Sequence, residues 1–377
     1  MTVRYALREI RTHWRDRQWW RKRFLSRVVA PYYTRFGGPE GDPLASLEWD
    51  TVLLLDACRY DLFETVYEDR GLPGELGERT SMQSGTPGYL AENFAGDSFH
   101  DTVYVTANPY VETELPEDTF HAVDHVWRDA WDDDAGTVRP EAVADRALDA
   151  ADRYPDKRLI VHFNQPHTPF IGEEQVAGRG MDAIRQTAMD ESGPDPRDRL
   201  QTPFERLGSG DLSYAEVWRA YLSNLEVAWD SVERLLTELD GLTAVTADHG
   251  NAMGEYASPF PIKVYGHPLG ILIPALTRVP WHTFQNGERR DVTADPPERT
   301  DREVDADTEQ RLRSLATPSE ACVLARFGHT IHHALPGLTC ERRGANPRSV
   351  PSEYDRRDPE TRERGSGQRR LSRVRYT

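Results

Sequence analysis

Lysine, cysteine and long apolar runs are scarce in this chain of 377 residues. Lysine occurs three times, so Arg supplies 43 of the 46 basic residues. Three cysteines are too few for a disulfide framework and fit a reducing compartment. No stretch approaches the ~20 apolar residues of a membrane span, and the Arg-rich first thirty residues lack the apolar core of a secretory signal. We therefore expect a cytoplasmic protein, with association to the inner membrane face left open.

The charge is large, acidic and unevenly distributed. Net charge is -17, while residues 1–35 carry ten basic and two acidic residues and residues 316–377 carry twelve Arg and seven acids. Taking +8 and +5 from -17 leaves -30 for residues 36–315. Such a surface stays soluble in high salt, where the Debye length falls to ~3 Å at 1 M, so we expect a halophilic source. Its sign argues against nucleic acid as a partner.

Residues 4–29 have the pattern of a basic helix in which apolar positions alternate with Arg. Two interpretations stay open. The helix could lie on an anionic lipid surface, with Trp19 and Trp20 at the headgroups. It could instead be an arm that packs on the acidic body.

Alternating strand and helix patterns predict an α/β fold, a doubly wound and mostly parallel sheet with helices on both faces. Short apolar runs indicate four buried strands, at 51–55, 102–106, 159–163 and 242–247. Helical patterns begin at Thr86-Pro87 and cover 140–153 and 214–239.

Polar, Gly- and Pro-rich stretches separate the remaining parts of the chain. Residues 172–212 are expected to form a long loop near the active face, and residues 283–305 lack a core pattern. The predicted organisation is a basic helical arm at 1–38, a catalytic domain at 39–315 and a largely disordered Arg/Pro-rich tail at 316–377.

Two acidic residues follow buried strands that are far apart in sequence. Asp56 ends the first strand, and Asp248-His249-Gly250 follows the fourth. Ligands of doubly wound sheets bind outside the carboxyl ends of the strands. Asp and His side chains can together ligate one divalent ion, and the glycine permits close backbone approach. This pattern predicts a metal site.

Thr86 is the leading candidate for a nucleophile. It precedes Pro87 where a helix begins, and a helix N-terminus offers free N–H groups to an anion. A metal-activated hydroxyl there could attack a phosphoryl or sulfuryl centre. The alternative is that Thr86 only caps the helix. Ser84 is the reserve candidate.

Two histidines lie in proline-flanked loops beyond strand ends. His167 stands in Pro-His-Thr-Pro-Phe, and His267 stands in Tyr-Gly-His-Pro. Their placement suits contacts to a substrate anion, or ligation of a second metal.

The ordered set of these segments resembles the alkaline phosphatase superfamily, in particular its sulfatase-like branch. The order is a strand-end Asp, a hydroxyl nucleophile, Pro-His-x-Pro-Phe, Asp-His-Gly and a late His, over roughly residues 48–281. Asp56, Arg59 and Asp61 are similar to the branch's Asp-x-x-Arg-x-Asp.

The resemblance implies roles for individual residues. Asp56, Asp248 and His249 would hold the metal, and Thr86 would be the nucleophile. His167 and His267 would contact the transferred anion or bind a second ion. Substrate-binding roles are expected for three further residues, of which Arg59 could instead only pair with Asp61. These are Arg59, Ser84 and Asn164.

The departures from the branch narrow the chemistry. Gly85 stands where formylglycine sulfatases need Cys or Ser, and Cys58 lies in another segment. A second metal would need a further ligand, for which only Asn164 or Glu255 is in view, so one ion of Mn²⁺, Mg²⁺, Ca²⁺ or Zn²⁺ is favoured over two.

The resemblance thus implies a metal-dependent hydrolase or transferase acting on phosphate mono- or diesters through a covalent Thr86 intermediate. Its ester substrate would be a small molecule, a glycan or a lipid-linked compound. Three rivals remain: a sulfatase without formylglycine, an inactive scaffold that binds a metal or an anion, and a peripheral membrane protein whose activity is secondary to the helix at 4–29.

Overall fold

A computed structural model describes residues 9–37, 40–176 and 201–298 of the chain. Contacts divide the chain into Met1–Thr300 and Asp301–Thr377, and every described residue belongs to the first unit. The predicted tail at 316–377 lies outside the described residues. The domain boundaries at 38 and 315 therefore stay predictions.

A seven-stranded sheet forms the centre of the described part, in the order β2-β11-β8-β1-β7-β3-β4. The five strands from β8 to β4 are parallel, and only β11 runs against its neighbours β8 and β2. The predicted mostly parallel α/β sheet is confirmed. The strands of this sheet are β1 (Thr51–Asp56), β2 (Glu75–Thr80), β3 (Phe99–Thr106), β4 (Phe120–His125), β7 (Arg158–Pro166), β8 (Gly241–Ala247) and β11 (Arg278–Asn286).

Helices cover both faces of the sheet. On one face α3, α6 and α8 pack against alternate side chains of β1 such as Leu53 and Leu55, and on the other α4 and α5 pack against Val52 and Leu54. Continuous apolar strands are expected wherever both faces are covered. These helices are α3 (Tyr60–Arg70), α4 (Thr86–Phe94), α5 (Tyr110–Glu114), α6 (Pro140–Arg153) and α8 (Tyr214–Glu238).

The local patterns anticipated the regular elements well and the polar stretches poorly. The four predicted strands and the helices from 86, 140 and 214 are all present. Part of the expected loop at 172–212 is instead helix α7 (Pro203–Ser209), which begins with a reciprocal capping box between Thr202 and Glu205. The polar stretch from 283 begins inside β11, where cross-strand pairing with β8 overrides weak local propensity.

Two short antiparallel ribbons lie beside the main sheet, and a short helix leads into β11. The first ribbon pairs β5 (Trp131–Asp132) with β6 (Thr137–Val138), and the second pairs β9 (Ala252–Tyr256) with β10 (Lys263–Gly266). The short helix α9 spans Pro274–Thr277.

The N-terminal arm, defined here as residues 9–37, differs from the single predicted helix at 4–29. The helix is interrupted near residues 14–16, where Asp16 accepts hydrogen bonds from the N–H groups of Gln18 and Trp19. It restarts as α1 (Arg17–Phe24), passes through a π-helical turn (Leu25–Val29) and ends as α2 (Ala30–Phe36). None of the helices in the described ranges is long and apolar enough to cross a membrane.

A substitution in the central strand β1 tests how much core packing contributes to stability. Leu53 is fully buried between the two strands that flank β1. Replacing Leu53 by Ala should lower the free energy of unfolding by about 2–5 kcal/mol, because a cavity remains where the side chain was. Denaturant titration measures the change. Leu269→Ala is the control, since that side chain is 59% exposed and its loss should cost less than about 0.5 kcal/mol.

Candidate active site

Two buried carboxylates meet at the carboxyl edge of the sheet. Strands β1 and β8 are neighbours, with Leu55 opposite Ala247, so the residues that follow them, Asp56 and Asp248, lie side by side. Both side chains are buried. The sequence placed them at two strand ends, and strand pairing brings them into one site.

Asp248 is held by three hydrogen bonds. Its Oδ1 accepts from the backbone N–H of Ala57 at 2.9 Å and of His249 at 2.8 Å, while its Oδ2 accepts from Thr86 Oγ1 at 2.7 Å. Ala57 has a φ of 60°, a conformation uncommon for residues other than glycine, which turns its N–H toward the carboxylate. The turn after β1 therefore serves the carboxylate that follows β8.

The two carboxyl groups have opposite pKa shifts. Burial raises the pKa of Asp56 well above its usual range, repulsion from Asp248 adds to this, and a 2.7 Å bond from Asn108 Nδ2 opposes it. Burial also acts to raise the pKa of Asp248, but His249, His162 and the bonds to Thr86 and Ala57 outweigh it and lower that pKa. Without a cation, the pair favours one proton on Asp56.

His249 completes a set of atoms that fits a metal ion. Its Nδ1 lies 2.8 Å from the Gly250 carbonyl and so donates to it, which leaves Nε2 with a free lone pair. That Nε2 lies 3.4 Å from Asp248 Oδ2 and 3.8 Å from Asp56 Oδ1.

Two observations test whether these side chains fit a metal ion: the distances between their ligand atoms and the hydrogen bonds that those atoms lack. The Nε2 of His249 and the Oδ1 of Asp56 are buried, and neither has a hydrogen-bond partner among the described residues. Two ligand atoms of a tetrahedral zinc, each about 2.0–2.1 Å from it, lie about 3.3 Å apart. The two distances from His249 Nε2 are close to this spacing, so the ligand atoms of Asp56, Asp248 and His249 would fit one divalent cation. Asp56, His162 and Asp248 form an alternative buried ligand set in which His162 takes the place of His249.

Gly250 is required by packing rather than by the ion. A Cβ at this position would lie 2.3 Å from the carbonyl oxygen of Ala275, a distance that no side chain can accept. The Gly250 N–H also donates to the Leu276 carbonyl at 2.8 Å. The close approach predicted for this glycine therefore involves the chain of α9.

Thr86 is the first residue of α4 and does not cap it. The cap position belongs to Gly85, and no side chain caps this helix end. The Thr86 hydroxyl instead donates to Asp248. The capping alternative is wrong, because the hydroxyl points across to β8 and not along its own helix.

His167 and His267 lie together beside His249. Their Nε2 atoms are 3.2 Å apart, and the rings of His249 and His267 have centroids 4.6 Å apart. Burial, foremost, lowers the pKa of His167 to about 4 and that of His267 well below its usual value. Both imidazoles are therefore neutral near pH 7. They form one wall of the site, 100 residues apart in sequence.

Sequence reasoning missed two residues that contact or border the carboxylates. Asn108 follows β3 and donates to Asp56. His162 lies on β7. One possible ligand atom from each of Asp56, His162 and Asp248 lies within 4.8 Å of the other two. A histidine inside an otherwise apolar, doubly buried strand was the available signal.

The predicted substrate-binding residues make contacts within the protein. Ser84 Oγ donates to the Pro268 carbonyl at 3.0 Å and accepts from Ile271 N–H at 3.3 Å. Asn164 Nδ2 donates to Thr137 at 3.1 Å. Their substrate roles stay predictions.

Arg59 has the ion pair that its alternative interpretation anticipated. It bonds Asp61 at 2.6 and 2.8 Å and Glu255 at 2.6 Å. Burial acts against its charge, but the two carboxylates keep its pKa above the usual value. Arg59 thereby fixes the turn after β1 against the chain that follows His249.

Removing a proposed ligand should abolish stabilisation by metal. Zn²⁺ or Mn²⁺ at about one hundred times its Kd should stabilise the wild type by about 2.7 kcal/mol. Asp248→Asn and His249→Gln should lose this gain, which a thermal melt with and without metal measures. Asp240→Asn, at the exposed start of β8, is the matched control. Equal metal-dependent shifts in all variants would contradict the ligand assignment.

The buried His162–Tyr104 pair should behave as one unit. The Tyr104 hydroxyl lies 3.1 Å from His162 Nδ1, and burial foremost lowers the His162 pKa to about 4. Tyr104→Phe or His162→Phe alone should each cost about 1–3 kcal/mol of unfolding free energy, since a polar partner is left unpaired. The double variant should cost less than the two single losses added together. Strictly additive losses in urea unfolding would show that the pair is not coupled.

Comparisons with known proteins found similar solved structures at low sequence identity. No protein-family model matches the chain, and no curated protein does either. Solved structures similar to it include the soluble domain of lipooligosaccharide phosphoethanolamine transferase A from Neisseria meningitidis (TM-score 0.35, 13% identity, 62% of this chain and 75% of that one). Another is the periplasmic domain of a phosphoethanolamine transferase from Campylobacter jejuni (0.36, 12%, 63% and 78%).

A third is an alkaline phosphatase superfamily protein from Vibrio parahaemolyticus (0.32, 11%, 74% and 71%). These sequence identities are low, and the TM-scores lie below 0.5. The conclusions on the fold and the chemistry therefore rest on the strand order and the site geometry alone. The sequence motifs of the chain resemble those of the alkaline phosphatase superfamily, and one of the similar solved structures is described as a protein of that superfamily.

Proposed function

We propose that the protein is a metal-dependent phosphoester-transferring enzyme in which Thr86 is the nucleophile. One observation carries the proposal. The Thr86 hydroxyl lies 2.7 Å from Asp248 Oδ2, at the first residue of a helix and beside unpartnered, buried ligand atoms of Asp56 and His249. A hydroxyl at this place is oriented by a carboxylate and stands at a helix start, whose free N–H groups can bind the anionic group of an ester.

The first step transfers the phosphoryl group to the protein. The Thr86 Oγ1–P bond forms as the bond from phosphorus to the leaving oxygen breaks, the hydroxyl proton passes to Asp248, and the leaving oxygen takes a proton from water. Asp248 suits this role because its hydrogen bond already orients the hydroxyl toward the site. Its lowered pKa makes it a weak base, so the hydroxyl needs further activation.

A divalent cation held by Asp56, Asp248 and His249 would supply that activation, by stabilising negative charge on the threonine oxygen and on the transferring group. These three residues provide ligands for one ion. Glu255, considered as a ligand for a second ion, is occupied by Arg59 at 2.6 Å and by the N–H of Met253.

The second step releases the phosphoryl group. Water or an acceptor alcohol attacks phosphorus and gives its proton to solvent, which replaces the proton taken in the first step. The Oγ1–P bond breaks, and Thr86 recovers a proton from Asp248. The neutral His167 has its single N–H on Nδ1, which lies 2.7 Å from the Thr168 carbonyl, so its role is to contact the anion and position His267. His267 can donate its Nε2–H, which lies 3.2 Å from His167 Nε2, to a non-bridging oxygen in both steps. Removing one such donor typically costs about 3 kcal/mol of transition-state stabilisation.

The proposed chemistry is the same for several classes of substrate. A small-molecule, glycan or lipid-linked phosphate ester would each present the same reacting group to Thr86. The acceptor decides between hydrolase and transferase. Cytoplasmic location and a halophilic source stay predictions.

The test compares hydroxyl variants on a panel of aryl phosphodiester, phosphomonoester and sulfate esters, with Mn²⁺ or Zn²⁺ in high salt. Thr86→Ala should lose at least about a thousandfold in kcat/KM, because nothing replaces the nucleophile. Thr86→Ser should retain measurable activity. Thr51→Val is the matched control, since the buried Thr51 hydroxyl has no hydrogen-bond partner and lies at the opposite end of β1.

The covalent intermediate gives an independent readout. Acid quenching during turnover, followed by peptide mass spectrometry, should find phosphate on Thr86. Activity that survives in Thr86→Ala but disappears in Ser84→Ala would move the nucleophile. Preference for the sulfate ester would favour a sulfatase without formylglycine, and metal binding without turnover of any ester would favour a scaffold.

A further inference from the structure

The N-terminal arm has one face that packs and one face that does not. Leu25, Val29 and Tyr33 are buried against a cluster that includes Val264 and Ile271. This confirms that the arm packs on the body, as one of the two interpretations expected. The opposite side leaves large apolar side chains exposed: Trp14 59%, Trp20 44%, Phe24 37%, Val28 43% and Phe36 71%.

The exposed side of the arm is also strongly basic. Residues 17–37 contain six basic residues and no acidic one, in a chain whose net charge is -17. Arg17, Arg27 and Arg35 are exposed. With Trp20 and Phe24 they follow one another at helical spacing, so basic and apolar groups share one side. We call this side the outer face.

The arm packs against the loop that carries His267 of the proposed active site. Ala30 of α2 contacts the turn at Gly270, where a Cβ would come within 3.1 Å of the alanine Cβ. The preceding residue, Leu269, touches Gly85, since a Cβ there would lie 2.6 Å from Leu269 Cδ2 and 3.7 Å from His267 Nδ1. The loop that carries His267 therefore connects the arm to the start of α4, and its exposed Leu269 lies between them.

We propose that the outer face of the N-terminal arm binds an anionic lipid bilayer. From residue 17 to residue 37, exposed Trp and Phe side chains stand among Arg residues with no acidic residue between them, which is the composition of a helix lying in a lipid interface. Each Arg near an anionic surface contributes about 1 kcal/mol, and the aromatic rings occupy the headgroup level. A nucleic-acid partner is disfavoured, because aliphatic Val28 and the fully apolar Phe36 offer nothing to a phosphate backbone and the body is acidic.

Binding requires no chemistry at Thr86, so the proposal does not rest on the proposed function. It does give that function a setting. The arm contacts the turn at Gly270, and Leu269 beside it touches Gly85, the residue before Thr86, so binding of the arm would hold the site close to the bilayer.

The first experiment measures partition of the full chain onto vesicles of phosphatidylcholine with and without phosphatidylglycerol. Binding should require the anionic lipid. The double variant Arg27→Gln, Arg35→Gln should bind about 25-fold more weakly, at about 1 kcal/mol per charge. The matched control, Arg153→Gln with Arg234→Gln, removes the same charge from exposed positions at the far ends of α6 and α8, and should bind as the wild type does.

The second experiment isolates the apolar part in high salt, where a Debye length of ~3 Å at 1 M screens the arginines. Trp20→Ser should lower binding several-fold, while Tyr214→Ser, at an equally exposed aromatic on α8, should not. Thr86→Ala should bind as the wild type does, which separates this result from the outcome for catalysis.

Three results would overturn the proposal. They are absence of binding to anionic vesicles, equal binding by the arm variants and their controls, and displacement of the protein from vesicles by duplex DNA that it binds more tightly. Circular dichroism and the unfolding midpoint of each variant establish that a loss of binding is not a loss of fold.

Discussion

The architecture of the site follows from one electrostatic problem: two carboxylates are buried side by side at the ends of neighbouring strands. Asp56 and Asp248 cannot both be charged there without compensation, since burial and mutual repulsion both act against the second charge. The surrounding groups supply that compensation unequally. Asp248 receives two backbone N–H groups and the Thr86 hydroxyl, whereas Asp56 receives only Asn108 and keeps one oxygen unpartnered. The asymmetry leaves a place for a cation and assigns the hydroxyl to the better-supported carboxylate.

The elements around the pair are shaped by this need. The turn after β1 takes an uncommon conformation at Ala57 and thereby offers an N–H to a strand 191 residues away. Arg59 holds that turn through Asp61 and Glu255. Ser84 ties the start of α4 to the loop of His267, so that the nucleophile candidate and the histidine wall are held by the same short stretch of chain. A site of this kind tolerates little displacement, because each contact that positions one group also positions another.

The N-terminal arm has one side that packs on the body and one side that is exposed. Its inner side chains are buried against the loop region that carries His267, and its outer side chains combine Arg with aromatic rings. Because the arm contacts the turn at Gly270, any surface that the arm binds would lie close to the site. The acidic body and the basic arm thus present surfaces of opposite sign, and the basic one combines its charges with several exposed aromatic side chains.

The sequence by itself determined the local elements and the chemistry-bearing segments of this protein. Apolar runs identified β1, β3, β7 and β8, helical spacing identified α6 and α8, and the motifs identified Asp56, Thr86, His167, Asp248, His249 and His267. Only the tertiary structure decided the strand order, the reversed strand β11, the roles of Asn108 and His162 beside Asp56, and the direction of the Thr86 hydroxyl. The reason is range: periodicity and capping act over a few residues, whereas hydrogen bonds such as that between Thr86 and Asp248 join positions 162 residues apart, which no local pattern encodes.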